Sequence, residues 1–173
     1  MTAQTQDAFI HIKSSQWDSS WPKYLNQDEK KEILDYLEKS FGMAPAIFIP
    51  YLFFKTSRTY YILRGNEKIG LIKDLKIQNA GLPAVRILGR HLKPTTEFVQ
   101  NFGIFATQNV LNLHLNQLKD LASLGEISLD VKLRDGFHIL RGHDAFWGIG
   151  LVKEGTRLIS YLSNSVKKII DSL

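Results

Sequence analysis

The run Ile127-Ser128-Leu129-Asp130-Val131-Lys132-Leu133, followed by Asp135-Gly136-Phe137-His138-Ile139-Leu140-Arg141, decides how the chain is read. In the first stretch Ile127, Leu129, Val131 and Leu133 are apolar, while Ser128, Asp130 and Lys132 are polar. A period of two sends alternate side chains to opposite faces, so a half-buried strand is expected. Asp135-Gly136 turns the chain into Phe137–Arg141, Gly142-His143-Asp144 turns it into Ala145–Val152, and Lys153-Glu154-Gly155 into Arg157–Leu162. Short strands joined by tight turns predict a small, partly closed barrel.

Upstream of this run, Ala84–Leu88 reads as a short strand. Pro94 suits the first turn of a helix whose buried face is Phe98, Val99 and Phe102. Val110–Leu113 is a further strand, and Leu118, Leu121 and Leu124 point inward from a helix that Gly125 stops. Downstream, Val166, Ile169, Ile170 and Leu173 share one side of a terminal helix. Nearer the start, Asn26 and Glu29 have capping-box spacing, Ile33, Leu34, Leu37 and Phe41 repeat at helical spacing, and Gly42 ends the pattern. Ile47–Phe54 and Tyr60–Leu63 are β-branched and aromatic, and Arg64-Gly65-Asn66-Glu67 signals a turn before a strand at Lys68–Ile72. Phe9, Trp17, Trp21 and Tyr24 are expected to pack on this unit. The expected class is α+β, with an N-terminal α/β domain over 1–81, a boundary at Asn79-Ala80-Gly81-Leu82-Pro83, and a second domain over 82–173.

Composition removes several chemistries. The absence of cysteine excludes disulfides, thiolate zinc sites, iron–sulfur clusters and cysteine nucleophiles. No window reaches the roughly 18–20 apolar residues of a membrane span, and no basic region precedes an apolar core at the N-terminus. A cytoplasmic protein without membrane contact is expected. Lys and Arg exceed Asp and Glu by 22 to 17, an imbalance that favours an anionic partner.

The ordered set Leu88-Gly89-Arg90…Leu92-Lys93-Pro94-Thr95, Ala106-Thr107-Gln108-Asn109-Val110, Leu124-Gly125-Glu126-Ile127, Asp135–Arg141, Trp147-Gly148-Ile149-Gly150-Leu151 and Gly155 resembles the PUA-like domain. It is most similar to the RNA-binding PUA region that accompanies sun-type RNA cytosine methyltransferases and to stand-alone archaeal relatives. The likeness covers about residues 84–165 and implies a PUA-like mixed β pseudo-barrel with short helices, preceded by a pre-PUA-like domain. The resemblance implies recognition of rRNA or tRNA, in ribosome biogenesis or RNA modification. Where that family carries Pro followed by Lys or Arg after the last strand, this chain has Ser163-Asn164. Lys167 and Lys168, one helical turn further on, are the candidate substitutes.

Basic residues carry the binding case. Arg86, Arg90, His91 and Lys93 occur between Ala84 and Thr96 with no acid among them. Backbone amides around Thr95 and Thr96 are candidates to receive a phosphate. By position in the family, Gly103, Thr107, Gln108 and Asn109 fall on the RNA path, and Arg141 and Arg157 on neighbouring strands. The plainer reading of all these residues is a solvated basic face. A second basic run, Lys55, Arg58, Arg64, Lys68, Lys73 and Lys76, surrounds Tyr60 and Tyr61, which either stack on bases or divide into one core and one surface residue.

Catalytic signatures fail. Gly148-x-Gly150 lacks the third glycine of a dinucleotide loop, position 153 being lysine, and close packing explains the pair better. His11, His91, His114, His138 and His143 form no ligand pair, and neither a Gly-x-Ser-x-Gly elbow nor a Gly-Lys-Ser/Thr triplet occurs. The expectation is a non-enzyme that needs no cofactor and no metal. Its partner is RNA, with an RNA methyltransferase or ribosome-assembly protein beside it. A protein-interaction adaptor docking such a protein without RNA contact is the alternative.

Overall fold

The computed structural model describes residues 23–65 and 81–173. The expectations for Phe9, Trp17 and Trp21, for the strand at Lys68–Ile72, and for His11, Lys68, Lys73 and Lys76 lie outside the described residues. The described chain is mixed α+β, with four α-helices and two five-stranded sheets, and neither sheet closes into a barrel.

Helix α1 (Gln27–Phe41) forms where the local signals place it. Asn26 Oδ1 accepts from the Glu29 amide at 2.8 Å and Glu29 Oε2 accepts from the Asn26 amide at 3.1 Å, so two amides of the first turn are satisfied reciprocally. Gly42 closes the helix in the left-handed region, at φ 67°. Ile33, Leu37 and Phe41 are its buried face.

A turn of 3-10 helix over Pro45–Phe48 follows, and strand β2 begins only at Tyr51. The strand expected from Ile47 is therefore shortened. Pro45 opens the helical turn and Ile49 stays helical at φ −52°, which leaves Pro50 as the last residue before extension.

The first sheet runs β1 (Lys23–Tyr24), β2 (Tyr51–Lys55), β3 (Thr59–Arg64), β4 (Leu82–Leu88) and β5 (His91–Pro94), each antiparallel to the next. Strand β5 was not expected: Pro94 ends it instead of opening a helix, and α2 (Thr96–Phe102) starts after it. The sheet crosses the expected boundary at residues 81 and 82, because β4 hydrogen-bonds to β3.

The second sheet contains β6 (Val110–Asn112), β7 (Glu126–Ser128), β8 (Gly136–Gly142), β9 (Ala145–Lys153) and β10 (Arg157–Ser160), in the order β6-β8-β9-β10-β7. The β6–β8 pair is parallel. The alternating run from Ile127 is a strand only to Ser128; beyond it Leu129 is buried and Val131 is 57% exposed. Tertiary bonding overrides the pattern there. The Leu129 amide donates to Thr156 O and the Leu133 amide to Gly155 O, while the Asp135 carboxylate accepts from the Gly155 and Glu154 amides. The segment thus wraps the β9–β10 turn and leaves the ladder.

Helices α3 (Leu115–Leu124) and α4 (Asn164–Asp171) pack on this sheet through Leu118, Leu121, Ala122, Val166 and Ile170. Leu124, expected inward, is 72% exposed, and Ile169 and Leu173 also face outward, because the helix–helix contact is narrower than the apolar pattern suggests. The glycine pair in β9 has a packing explanation. A Cβ at Gly150 would lie 2.6 Å from Leu158 Cδ1 and 3.0 Å from Leu140 Cδ2, and the strand continues through both glycines.

One core draws on both halves of the sequence. Ile33, Leu37, Phe41 and Phe48 meet Ala84, Val85, Phe98 and Phe102, together with Ile139 and Ile149 from β8 and β9. Phe98 stacks on Phe102 at 5.0 Å between ring centroids and on Phe48 at 6.0 Å. A second core, around Leu140, Trp147, Val152 and Leu158, lies under α3 and α4.

Candidate functional site

The hairpin of β4 and β5 presents the basic cluster. Leu88 pairs with His91 across the two-residue turn Gly89-Arg90, and Gly89 takes φ 61°, which glycine adopts without a Cβ penalty. Arg86 and Lys93 are direct cross-strand partners. Like charges facing each other on a ladder destabilise it, so the hairpin carries this pair at a local cost. Arg86, Arg90 and His91 are exposed and Lys93 is half-buried. Among the described residues, none of the four is in an ion pair.

The Lys93 ammonium lies 5.1 Å from the centre of the Tyr161 ring. Burial pushes the Lys93 pKa below the usual lysine value, and the Arg86 charge pushes it the same way; Glu97 opposes both. Tyr161 was not legible in the sequence as part of this cluster. It follows β10 in the second sheet, and only the packing of the two sheets brings it beside β5 of the first.

Other candidates turn out to serve the fold. Thr95 is buried and caps α2: its hydroxyl accepts from the Phe98 amide and donates to Pro83 O, while its own amide donates to Ala84 O. The Thr95 and Phe98 amides are thus engaged internally. Thr96 borders Gly148 of β9. Gly103 is buried under Phe146, whose Cδ1 would stand 2.7 Å from an added Cβ. Thr95 and Gly103 have no surface to offer a ligand and leave the candidate set.

Thr107, Gln108 and Asn109 form a clamp on the far end of α1. Thr107 Oγ1 donates to Gly42 O, Gln108 Nε2 to Lys39 O at 2.8 Å and Glu38 O at 3.2 Å, and Asn109 Nδ2 to Ser40 O at 2.6 Å. The Thr107 and Gln108 amides both reach Phe41 O. The last turn of a helix leaves its carbonyls without intrahelical partners, and this loop supplies them. Asn109 also holds φ 52°, a conformation asparagine tolerates better than most residues. Asn109→Ala is expected to lower stability by about 2 kcal/mol, from one lost hydrogen bond and a strained backbone. Asn109→Gly removes only the bond, so its denaturant midpoint should fall between those of the alanine variant and the parent chain.

Arg157 is neutralised by Glu126, with Nη2 2.7 Å and Nε 3.1 Å from the same carboxylate oxygen. It opens β10 whereas Tyr161 follows that strand, so the strand rise separates them by roughly 13 Å. Arg141 is exposed on β8 with its guanidinium 5.5 Å from the Phe146 ring. Lys167 is half-buried and Lys168 exposed on α4. In the second basic run, Lys55 lies 5.2 Å from the Tyr60 ring, and Tyr60 is a core residue at 5% exposure while Tyr61 is half-buried. The two tyrosines therefore divide into one core and one partly exposed residue.

Of the described histidines, His91 sits at the hairpin, His114 precedes α3, and His143 occupies a turn at φ 48°. His138 is buried with Nδ1 3.1 Å from Gly136 O, and burial pushes its pKa down, favouring the neutral ring. Among the described residues, no group of three or more His, Cys, Asp or Glu is placed to hold a metal ion, and no helix is long and apolar enough to cross a membrane. Comparison of the chain with protein-family models gives no match, and comparison with curated proteins gives none.

Proposed function

We propose that this chain is a non-catalytic RNA-binding protein of the PUA-like kind, recognising structured rRNA or tRNA through the β4–β5 hairpin. The observation that carries the reading is the basic face formed by Arg86, Arg90, His91 and Lys93, in no ion pair among the described residues, beside the Tyr161 ring. Charges outside ion pairs lose little by meeting phosphates, and counterion release supplies most of the affinity. The α+β fold is compatible with the PUA-like resemblance, and ribosome biogenesis or RNA modification, in the cytoplasm, is the setting that resemblance implies.

Fluorescence anisotropy with a folded RNA tests the proposal. Binding should weaken steeply as salt rises, and Arg90→Ala with Lys93→Ala should reduce affinity at least severalfold. Affinity independent of salt would refute the electrostatic account.

One observation favours a second reading, an adaptor that docks an RNA methyltransferase or ribosome-assembly protein. Ile104 and Phe105, just after α2, are 72% and 43% exposed. A complex that survives nuclease treatment and is lost in Ile104→Asp would support that reading over direct RNA contact.

A further inference from the structure

We infer that the cleft between the last turn of α1 and the start of β8 receives one unpaired nucleotide of the bound RNA, base first; this rests on the RNA-binding reading above. The cleft has a volume of about 230 Å³ and is lined by Tyr36, Ser40, Asn109, Arg134, Gly136 and Phe137, among others. That is below the ~300–1,000 Å³ of ordinary small-molecule sites, so it suits a single ring system and excludes a folded oligonucleotide.

Its aromatic walls are already fixed. Tyr36 Oη donates to Leu92 O at 2.6 Å and the ring stands edge-on to Phe41 at 6.0 Å; Phe137 stands edge-on to Tyr161 at 5.7 Å. Both rings are half-buried, so each keeps an open part that needs no rearrangement to receive a base. Gly136 contributes bare backbone. Its φ of 134° favours glycine, and an added Cβ would meet nothing within 4 Å, so the space over it is open.

The charges are arranged for a nucleotide. Lys39 and Arg134 are exposed on the rim, and Arg134 is in no ion pair among the described residues. Lys39 reaches Asp35 only at 3.9 Å. The Asp135 carboxylate also borders the cleft, and its two oxygens accept from the Gly155 amide at 2.8 Å and the Glu154 amide at 3.2 Å, which ties it to the β9–β10 turn. The Ser40 hydroxyl is a polar contact available to a base edge.

Location joins the cleft to the hairpin. Tyr36 holds the carbonyl of Leu92, the residue before Lys93, and Lys93 lies over Tyr161, the ring that Phe137 abuts. A strand tracking the hairpin phosphates therefore passes the cleft mouth. A paired base presents no free edge or face there, so the nucleotide must be unpaired.

Two measurements on the full chain test this. In amide NMR spectra, the four nucleoside 5′-monophosphates should shift Ser40, Gly136 and Phe137, and Ser40→Trp, which fills the cleft, should abolish those shifts. In anisotropy, a hairpin RNA with one bulged nucleotide should bind more tightly than its fully paired counterpart. Arg134→Glu, an exposed change, should lower the bulged RNA's affinity roughly tenfold and leave the paired one unchanged. Absence of mononucleotide shifts in the cleft, or equal loss for both RNAs in Arg134→Glu, overturns the inference while RNA binding itself stands. Mononucleotide binding in the cleft with no affinity for either RNA would support the cleft and sink the RNA reading.

Discussion

Phe98→Ala is expected to destabilise the fold by about 3–5 kcal/mol, in a single cooperative transition. The ring is fully buried, and it stacks on Phe102 from its own helix and on Phe48 from the turn after α1. Truncation removes the buried apolar area and leaves a cavity whose walls belong to both halves of the sequence. Those walls cannot collapse independently, because β3 and β4 tie the halves through backbone hydrogen bonds and Ile139 and Ile149 reach into the same core. Urea unfolding monitored by far-ultraviolet circular dichroism and by fluorescence would check this, since Trp147 reports from the second core. Coincident curves shifted together are the expected result. A variant that loses one transition and keeps another unchanged would mean that the halves fold separately.

What was legible in the sequence was what local chemistry decides. Asn26, Glu29 and Gly42 mark both ends of α1 because their bonds span three or four residues. The turns at Gly142-His143-Asp144 and Lys153-Glu154-Gly155 were readable because left-handed backbone there falls on His143, Asp144, Glu154 and Gly155. The reading failed where distant groups compete for the backbone. Ile127–Leu133 alternates as a strand should, yet the β9–β10 turn takes the amides of Leu129 and Leu133. Pro94 has the fixed φ that suits a helix start, but pairing with Val85 makes it the end of a strand.

The candidate site divides in the same way. Arg86, Arg90, His91 and Lys93 were visible as a cluster because one hairpin holds them all. Thr107, Gln108 and Asn109 looked like a polar binding loop, since nothing local shows that their donors reach Glu38–Gly42. Polar side chains at a loop read alike whether they face a ligand or cap a distant helix. Nothing in the sequence marked Tyr161, Tyr36 and Phe137 as sharing a site, since only the packing of β5 against the residues after β10 and of α1 against β8 brings them together.

Charge reversal at the hairpin separates those two kinds of residue most sharply. Arg86→Glu with Arg90→Glu is expected to lower RNA affinity by roughly a hundredfold at low salt. Both side chains are exposed and in no ion pair among the described residues, so folding should tolerate the change, and replacing Arg86 also removes the like-charge contact with Lys93. If each arginine neutralises one phosphate, the dependence of log affinity on log salt should flatten by about 0.7–0.9 per residue, a readout that misfolding would not mimic. Arg157→Ala is the control, although it removes one charge where the double reversal changes the net charge by four. Its guanidinium is committed to Glu126 at 2.7 Å, so the same assay should show no change. A loss in Arg157→Ala in proportion to its smaller charge change would mean that net charge alone drives binding and that the hairpin is not the interface.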